Sequence, residues 1–199
     1  MCWFVDAAEA KQALEMTLAA HPEAKDMLRL ACSPLGVVFN ICKGFPPVEG
    51  EEGENEEETG AAYLGGSLKI VGSKDSAGSG AALREQQVAQ GMTPSKWNVA
   101  TFCSDDFQTD NVMPIFFSQS GFAAGWVRSG KTAETVPQNL AVMDLCVLVK
   151  QMRDSDVFNW EIFTFVTTPD AYALAQELTE QAKKKQEEEE AAAASGEDS

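Results

Sequence analysis

Apolar and polar positions along the chain follow two patterns in turn, one with the period of a strand and one with the period of a helix. Short β-branched and aromatic runs such as PLGVVFNIC (34–42) are typical of buried strands. The alanine-rich stretch after Asp6 is typical of a helix, which Asp6 can cap. For the first half, the pattern predicts strands at 3–5, 34–42 and 68–71, and helices at about 7–20, 23–27 and 80–90.

The second half has clearer signals. After Asp144, the residues Leu145, Leu148, Val149 and Met152 fall at i, i+3, i+4 and i+7 and form one apolar stripe. Asp144 itself is a suitable N-cap for that helix. The pattern predicts strands at 99–103, 112–117, 140–143 and 160–166, and helices that end near 126, 153 and 182.

One local arrangement occurs three times. The segments 3–14, 115–126 and 164–175 each consist of an aromatic strand, a short polar cap and an alanine-rich helix. Such alternation predicts an α/β fold, of the layered α+β kind, in which helices pack on a sheet. It also predicts internal duplication into two pseudo-repeated halves, with the first half at 1–45 and 61–98 and the second at 99–182.

The charge of the chain is concentrated in two segments. The formal net charge is −16, and the segment PPVEGEEGENEEETG (46–60) alone carries seven Glu and no basic residue. Like charges at this density repel each other and bury nothing, so we expect 46–60 to be a disordered insert and 183–199 a disordered acidic tail. The remaining body is mildly acidic and has no uncompensated basic patch, which argues against nucleic acid as a partner.

Membrane and redox signals are weak. No apolar run reaches the roughly 18 residues that a spanning helix needs, so the chain is expected to be peripheral to a membrane at most. The N-terminal sequence predicts no targeting segment in this chain. The five cysteines lie far apart without C-x-x-C pairs or nearby histidines, which predicts free thiols, no metal site and no cofactor.

The segment GWVRSGKT (125–132) fits the phosphate-loop pattern G-x-x-x-x-G-K-[ST], and Asp144 follows an apolar run as a magnesium ligand would. A working phosphate loop leaves a buried strand and enters a helix. Here the preceding residues are helix-like, and only seven residues separate Thr132 from the strand predicted to begin at Leu140. We therefore predict a helix that ends at Gly125 or Gly130, followed by a basic loop. Nucleotide hydrolysis remains a remote alternative.

Other candidate chemistry is sparse. His21 is the only histidine and precedes a proline at a predicted helix end, so it is expected to be structural or exposed. Asp105, Asp106 and Asp110 form an acidic group that is typical of a solvated turn. No arrangement of nucleophile, base and orienting group is apparent, and we predict that the chain is not an enzyme and has no catalytic residues.

Several motifs resemble one protein family. FVDAAEAKQALEMTLAAHPEAKDMLRLACSPLGVVFNI (4–41), VATFCSDDF (99–107), VMPIFFSQSGFAAGW (112–126) and PQNLAVMDLCVLVKQM (137–152) are similar to segments of the family of the 22-kDa subunit of the chloroplast inner-envelope translocon, the Tic complex. The last match is the most specific. The resemblance implies an α/β fold in two halves and a non-catalytic, chaperone-like role in preprotein translocation. It also implies a plastid location, in the envelope intermembrane space, in the stroma or associated with thylakoids.

The resemblance and the aromatic side chains around 115–126 together suggest an apolar groove that holds a polypeptide partner. We expect that candidate groove to be lined by Phe116, Phe117, Phe122, Trp126, Leu145, Leu148, Val149 and Met152. A core role for Phe116 and Phe122 is the alternative explanation. A second hypothesis for the whole chain is an accessory or linker subunit docked permanently on a larger plastid assembly such as a photosystem supercomplex.

Overall fold

The computed structural model describes residues 2–42, 68–92, 94 and 97–195. The acidic insert predicted at 46–60 lies outside these residues. The mixed α/β class is confirmed, and the internal duplication stays a prediction. The strands are β1 (Cys2–Phe4), β2 (Lys69–Val71), β3 (Ala100–Cys103), β4 (Met113–Phe116), β5 (Ala141–Asp144) and β6 (Phe163–Val166). The α-helices are α1 (Ala7–Ala20), α2 (Leu35–Ile41), α3 (Gly80–Ala89), α4 (Gln119–Arg128), α5 (Leu145–Asp154) and α6 (Pro169–Ser195).

Packing divides the chain into two compact units. One unit comprises Met1–Asp6 with Pro34–Thr167, and the other comprises Ala7–Ser33 with Thr168–Ser199. All six strands belong to the first unit. In the second unit, α1 packs against α6. These units do not follow the predicted halves, because strands from both predicted halves lie in the same unit.

The first unit contains two sheets. In the four-stranded sheet the order is β5-β3-β4-β6. The strand β3 pairs antiparallel with both β4 and β5, whereas β6 lies parallel to β4 at the edge of the sheet. A separate two-stranded sheet pairs β1 and β2 in parallel. The edges of the larger sheet are therefore β5 and β6.

Side-chain caps start two of the helices that follow strands of the larger sheet. The Ser118 hydroxyl accepts a hydrogen bond from the Gly121 N–H at 2.9 Å and starts α4 two residues after β4. Asp144, the last residue of β5, accepts from the Cys146 N–H at 2.9 Å and starts α5. Because a cap pairs N–H groups that the first helical turn leaves free, each cap fixes where its strand turns into a helix.

The core of the first unit consists of three clusters of buried side chains. The first lies around α2, β2 and the start of α5, the second between β3, β4, α3 and α4, and the third between β4 and the later part of α5. The buried members are Val38, Phe39, Cys42, Ile70, Trp97, Val99, Leu145 and Cys146 in the first. They are Leu83, Ala100, Phe102, Phe116, Phe122 and Trp126 in the second. In the third they are Met113, Ile115 and Leu148.

The strand predicted at 34–42 is wrong, because these residues form the helix α2. Pro34 occupies the N-cap position with φ −58°, a value that its ring imposes and that allows a helix to begin. Val38, Phe39 and Cys42 then face the first core cluster at helical spacing, while Val37 is exposed. Burial of this one face outweighs the strand preference of the β-branched residues.

Two other predicted segments also differ in the structure. The strand expected at 160–166 is shorter, because Trp160–Ile162 form a 3₁₀ turn that the Asn159 side chain caps. The helix expected to end at 182 continues to Ser195, so residues 183–195, predicted as disordered, are helical. Alanine, glutamate and lysine dominate this stretch and have high helix propensity, which explains the continuation. The short helix predicted at 23–27 is a 3₁₀ turn at Pro22–Ala24.

Candidate protein-binding surface

The segment that matches the phosphate-loop pattern is the end of a helix. Residues 125–128 form the last turn of α4, and Gly130 follows with φ +88°. A positive φ at this position is how many helices terminate, and glycine adopts it without strain. The helix end predicted near Gly130 is thus confirmed, whereas Gly125 lies inside α4. No strand precedes the segment directly, so the strand–loop–helix geometry of a phosphate site is absent from this part of the structure.

The lysine of this pattern, Lys131, is engaged in local packing. The Nζ atom of Lys131 donates a hydrogen bond to the Asp106 main-chain oxygen at 2.6 Å. The same atom lies 3.6 Å from the centroid of the Trp126 ring and 5.4 Å from that of Phe107. A cation over an aromatic face is attracted by the negative face of the ring. Lys131 therefore fastens its own loop to α4 and to the turn after β3.

The prediction that Asp144 caps a helix is confirmed. Its Oδ1 atom accepts hydrogen bonds from the N–H groups of Cys146 (2.9 Å) and Val147 (3.4 Å), and the residue is fully buried. Burial raises the pKa of this carboxyl above its ordinary value, while the Gln87 side chain and main-chain N–H groups act in the opposite direction. Oδ2 has no hydrogen bond of ordinary geometry. The carboxyl is enclosed by the fold and faces no cation among the described residues.

The remaining candidate ligands are dispersed. His21 is exposed, as predicted, and its Nδ1 atom lies 3.2 Å from the Oε1 atom of Glu23. Asp105 and Asp106 belong to an exposed 3₁₀ turn that the Ser104 hydroxyl caps, and Asp110 lies in the loop after it. Within the described ranges no group of three or more His, Cys, Asp or Glu side chains could hold a metal ion. Across the same ranges no helix has the length and apolar character to cross a membrane.

The eight side chains expected to line a groove do not form one surface. Phe116, Phe122 and Trp126 are buried in the second core cluster, Leu145 in the first and Leu148 in the third. The other three, Phe117, Val149 and Met152, are half-buried at the margins of the first and third clusters. The expected groove is therefore wrong in this structure, and the alternative explanation for Phe116 and Phe122, a place in the core, is the one observed.

The reason lies in how α4 returns onto β4. Phe107, from the turn after β3, stacks on Phe116 at 5.7 Å between ring centroids and meets the edges of Phe122 and Trp126 at 5.5 and 5.4 Å. Phe116 and Phe122 are themselves 5.3 Å apart. These rings pack against one another in edge-to-face and stacked pairs, the arrangements that aromatic side chains prefer. Aromatic crowding in this part of the sequence thus builds the core.

Exposed aromatic surface occurs in the segment between α5 and β6, for which no binding role was predicted. Val157 and Phe158 are 82% and 61% exposed. The Phe158 ring lies 5.4 Å from Trp160, and Trp160 lies 4.9 Å from Phe163, the first residue of β6. A series of rings therefore leads from the surface to the edge of the sheet. We call Val157, Phe158 and Trp160 the 157–160 surface.

Hydrogen bonds anchor the main chain and the Trp160 ring of this surface. The Trp160 indole N–H donates to the Ser155 main-chain oxygen at 2.6 Å, and the Val157 N–H donates to the Ser155 hydroxyl at 3.3 Å. Asn159 accepts from the Glu161 N–H at 3.2 Å. Apolar side chains on an anchored turn lose little freedom when they bind. A signal for the surface was present in the sequence RDSDVFNWE (153–161), where an apolar pair interrupts a polar loop.

The charged side chains beside this surface differ in whether they form an ion pair. Asp154 accepts hydrogen bonds from Arg153 and Lys150, and these two contacts lower its pKa to about 2. Asp156 and Glu161 are exposed and make no side-chain ion pair within the described part of the chain. The 157–160 surface therefore has two accessible carboxylates at its border, while the nearby basic groups are occupied by Asp154.

No protein-family model matches the chain, and no curated protein or solved structure is significantly similar to it. The resemblance of four sequence segments to the translocon family accordingly stays a prediction. The most specific of these segments, 137–152, forms β5, the Asp144 cap and α5. Its pattern is explained by the way this strand turns into a helix.

Proposed function

We propose that this chain is a non-catalytic protein-binding subunit that docks on a larger protein assembly. The observation that supports the proposal is the exposure of Val157 and Phe158 on an anchored turn. A single exposed apolar side chain is ordinary, but an adjacent aromatic and aliphatic pair backed by Trp160 has the composition of an interface anchor. A partner that covers this surface would remove apolar area from water, and each Å² removed would stabilise the complex by about 25 cal/mol.

The docked subunit is favoured over an open groove that holds unfolded chains. The residues expected to line such a groove are mostly in the core, whereas the 157–160 surface is small and has a fixed shape. A small surface on an anchored turn suits one partner of matching sequence and shape, whereas a protein that holds many different unfolded chains needs a larger apolar area. The sequence resemblance supports a plastid location and an import role as a second candidate, which the same experiment addresses.

The test is the size of the complex that contains the chain. The tagged full chain is expressed in its native cells, and plastid and whole-cell extracts are separated on native gels. We expect it to migrate far above the position of its own 21.5 kDa mass. The double variant Val157→Ser/Phe158→Ser should migrate alone, since it keeps the fold and loses the anchor. The matched control Met16→Ser changes an exposed apolar residue of α1 and should keep the assembly.

Two results would contradict the proposal. Wild-type chain that migrates alone in all extracts would show that it is no stable subunit. Assembly that persists in the double variant would show that docking uses another surface. A chain that is free at steady state but crosslinks to many preproteins through position 158 would favour the import role instead.

A further inference from the structure

The two edges of the four-stranded sheet differ in whether a side chain hydrogen-bonds to the main chain of the edge strand. At the β5 edge, the side chain of Gln86 from α3 bridges the main chain of the strand. Its Oε1 accepts from the Asp144 N–H at 2.9 Å, and its Nε2 donates to the Val142 oxygen at 3.0 Å. One amide side chain thus makes the two hydrogen bonds that a neighbouring strand would make. This edge is closed to a further strand.

Among the described residues, no side chain bridges the main chain of β6 in this way at its outer edge. The main chain of Phe163–Val166 hydrogen-bonds to β4 on one side. The Phe163 N–H also donates a hydrogen bond to the main-chain oxygen of Trp160 in the preceding turn. Among the described residues, no other main-chain or side-chain group bonds to these four. The strand FTFV is short, with four residues, but it has no proline, lysine or bulge, which are other features that commonly protect an edge. Its unpaired groups are a template for another strand.

We infer that the outer edge of β6 receives an extended segment of the partner protein, which adds to the sheet as a fifth strand. This inference rests on the proposed docking function and specifies how docking occurs. Strand addition takes its affinity from main-chain hydrogen bonds and its specificity from alternate side chains. Phe163 begins the open edge and is joined through Trp160 to exposed Phe158, so edge and 157–160 surface are continuous.

The charges define the chemistry of the partner segment. Asp156 and Glu161 border the surface, and the basic residues nearest to them in the sequence, Lys150 and Arg153, are engaged with Asp154. A segment with lysine or arginine at alternate positions and apolar residues between them complements this border. A second copy of this chain is a poorer occupant, because two chains of formal charge −16 repel each other.

The experiment measures binding of synthetic strands to the full chain. The probe is a fluorescein-labelled peptide of about eight residues in which Val and Lys alternate. Two control peptides keep the same side chains. One carries a methyl group on the main-chain nitrogen of every Val, and the other carries a methyl group on the main-chain nitrogen of every Lys. Successive N–H groups of a strand point to opposite edges, so only one of the two methylations removes the donors that face β6. We expect that peptide to bind at least about tenfold more weakly than the other.

Protein variants locate the binding edge. Thr164 is the exposed residue of β6, and Thr164→Lys places a repelling charge there, so we expect about tenfold weaker binding of the unmethylated peptide. Thr164→Glu introduces a residue of similar bulk and opposite charge, and should bind at least as well as wild type. The matched control Ala141→Lys places the same charge on an exposed residue of the closed β5 edge and should leave binding unchanged.

Equal binding of the two methylated peptides would overturn the inference, as would equal effects of Thr164→Lys and Ala141→Lys or the absence of peptide binding. The two proposals fail separately. If the assembly on native gels depends on Val157 and Phe158 while the methylated peptides bind equally, docking stands without strand addition. If the peptides distinguish the edges while the chain migrates alone in extracts, strand binding stands and the docked-subunit proposal fails.

Discussion

Gly125 of α4 lies directly over the ring of Phe116 in β4. A Cβ atom at residue 125 would come within 2.7 Å of the Cε1 and Cζ atoms of that ring. The absence of a side chain at this position lets the helix approach the strand closely. The ring of Phe116 cannot withdraw, because Phe107 stacks on it and Phe122 meets it edge to face. The first glycine of the phosphate-loop pattern is therefore required for packing.

We predict that Gly125→Ala destabilises the protein although alanine favours helices. The clash forces the ring or the helix to shift, at about 1–3 kcal/mol. The gain in helix propensity offsets only about 1 kcal/mol of this. The measurement is the free energy of unfolding in urea.

The control is Gly36→Ala. Gly36 is an exposed residue of α2, and a Cβ there would have no atom within 4 Å. This variant should gain about 0.5–1 kcal/mol, since only the propensity changes. If both glycine variants stabilise the protein, then α4 does not lie on Phe116 as closely as described.

A second prediction separates core rings from surface rings. Phe122 has no exposed area, so Phe122→Ala should cost about 3–5 kcal/mol of unfolding free energy. Phe158→Ala should change that energy by no more than about 0.5 kcal/mol, since its ring is mostly in water. Urea unfolding of the purified chain measures both. Similar losses in the two variants would mean that Phe158 is part of the core and unsuited to docking.

Local signals in the sequence were sufficient for the strand-to-helix junctions. Asp144 was identified as a cap because a short polar side chain stood between an apolar run and a helical stripe, and the structure places it at that point. A polar cap was likewise expected between the strand and the helix of 115–126, with Ser118 and Ser120 as the candidates, and the structure shows Ser118 there. A cap acts on N–H groups two or three residues away. Its effect can therefore be predicted without knowledge of the tertiary structure.

Tertiary contacts decided the features that the sequence did not predict. The segment 34–42 has β-branched residues, yet burial of Val38 and Phe39 on one helical face determines its conformation. The aromatic residues of 115–126 gave no indication that Phe107, from an earlier turn, would cover them. The bridge from Gln86 to β5 joins residues more than fifty positions apart, and no local pattern announces such a contact.

A third prediction concerns Lys131. Lys131→Gln removes the charge above the Trp126 ring and weakens the hydrogen bond to Asp106, so we expect a loss of about 0.5–2 kcal/mol of unfolding free energy. Lys131→Arg should retain most of the stability, because a guanidinium also stacks on indole. Urea denaturation followed by tryptophan fluorescence measures both variants.

The same lysine offers a test of the phosphate-loop alternative. Calorimetry of wild-type chain with magnesium and ATP or GTP should show no binding heat, because residues 125–128 are helical and Lys131 is engaged. Binding that disappears in Lys131→Ala would restore nucleotide hydrolysis as a function. It would require α4 to unwind at its end.

The last prediction concerns the pH dependence that the buried Asp144 carboxyl imposes. Its folded pKa is raised above 3.8 by burial, so its contribution to stability is complete below that value and is lost as the pH rises through the folded pKa. Asn is also a good N-cap but does not titrate. The stability of wild type relative to Asp144→Asn should therefore fall as the pH rises from about 3 through the raised pKa of the folded protein.

Urea unfolding across that range measures this difference, and Asp144→Ala supplies the control. Alanine removes the cap at every pH, at a cost of about 1 kcal/mol, and does not titrate either. The difference between the Asn and Ala variants should consequently be constant with pH. If wild type instead gains stability over Asp144→Asn as the pH rises, then hydrogen bonds from Gln87 and the first turn of α5 outweigh burial, and the carboxyl is held as an anion in the folded protein.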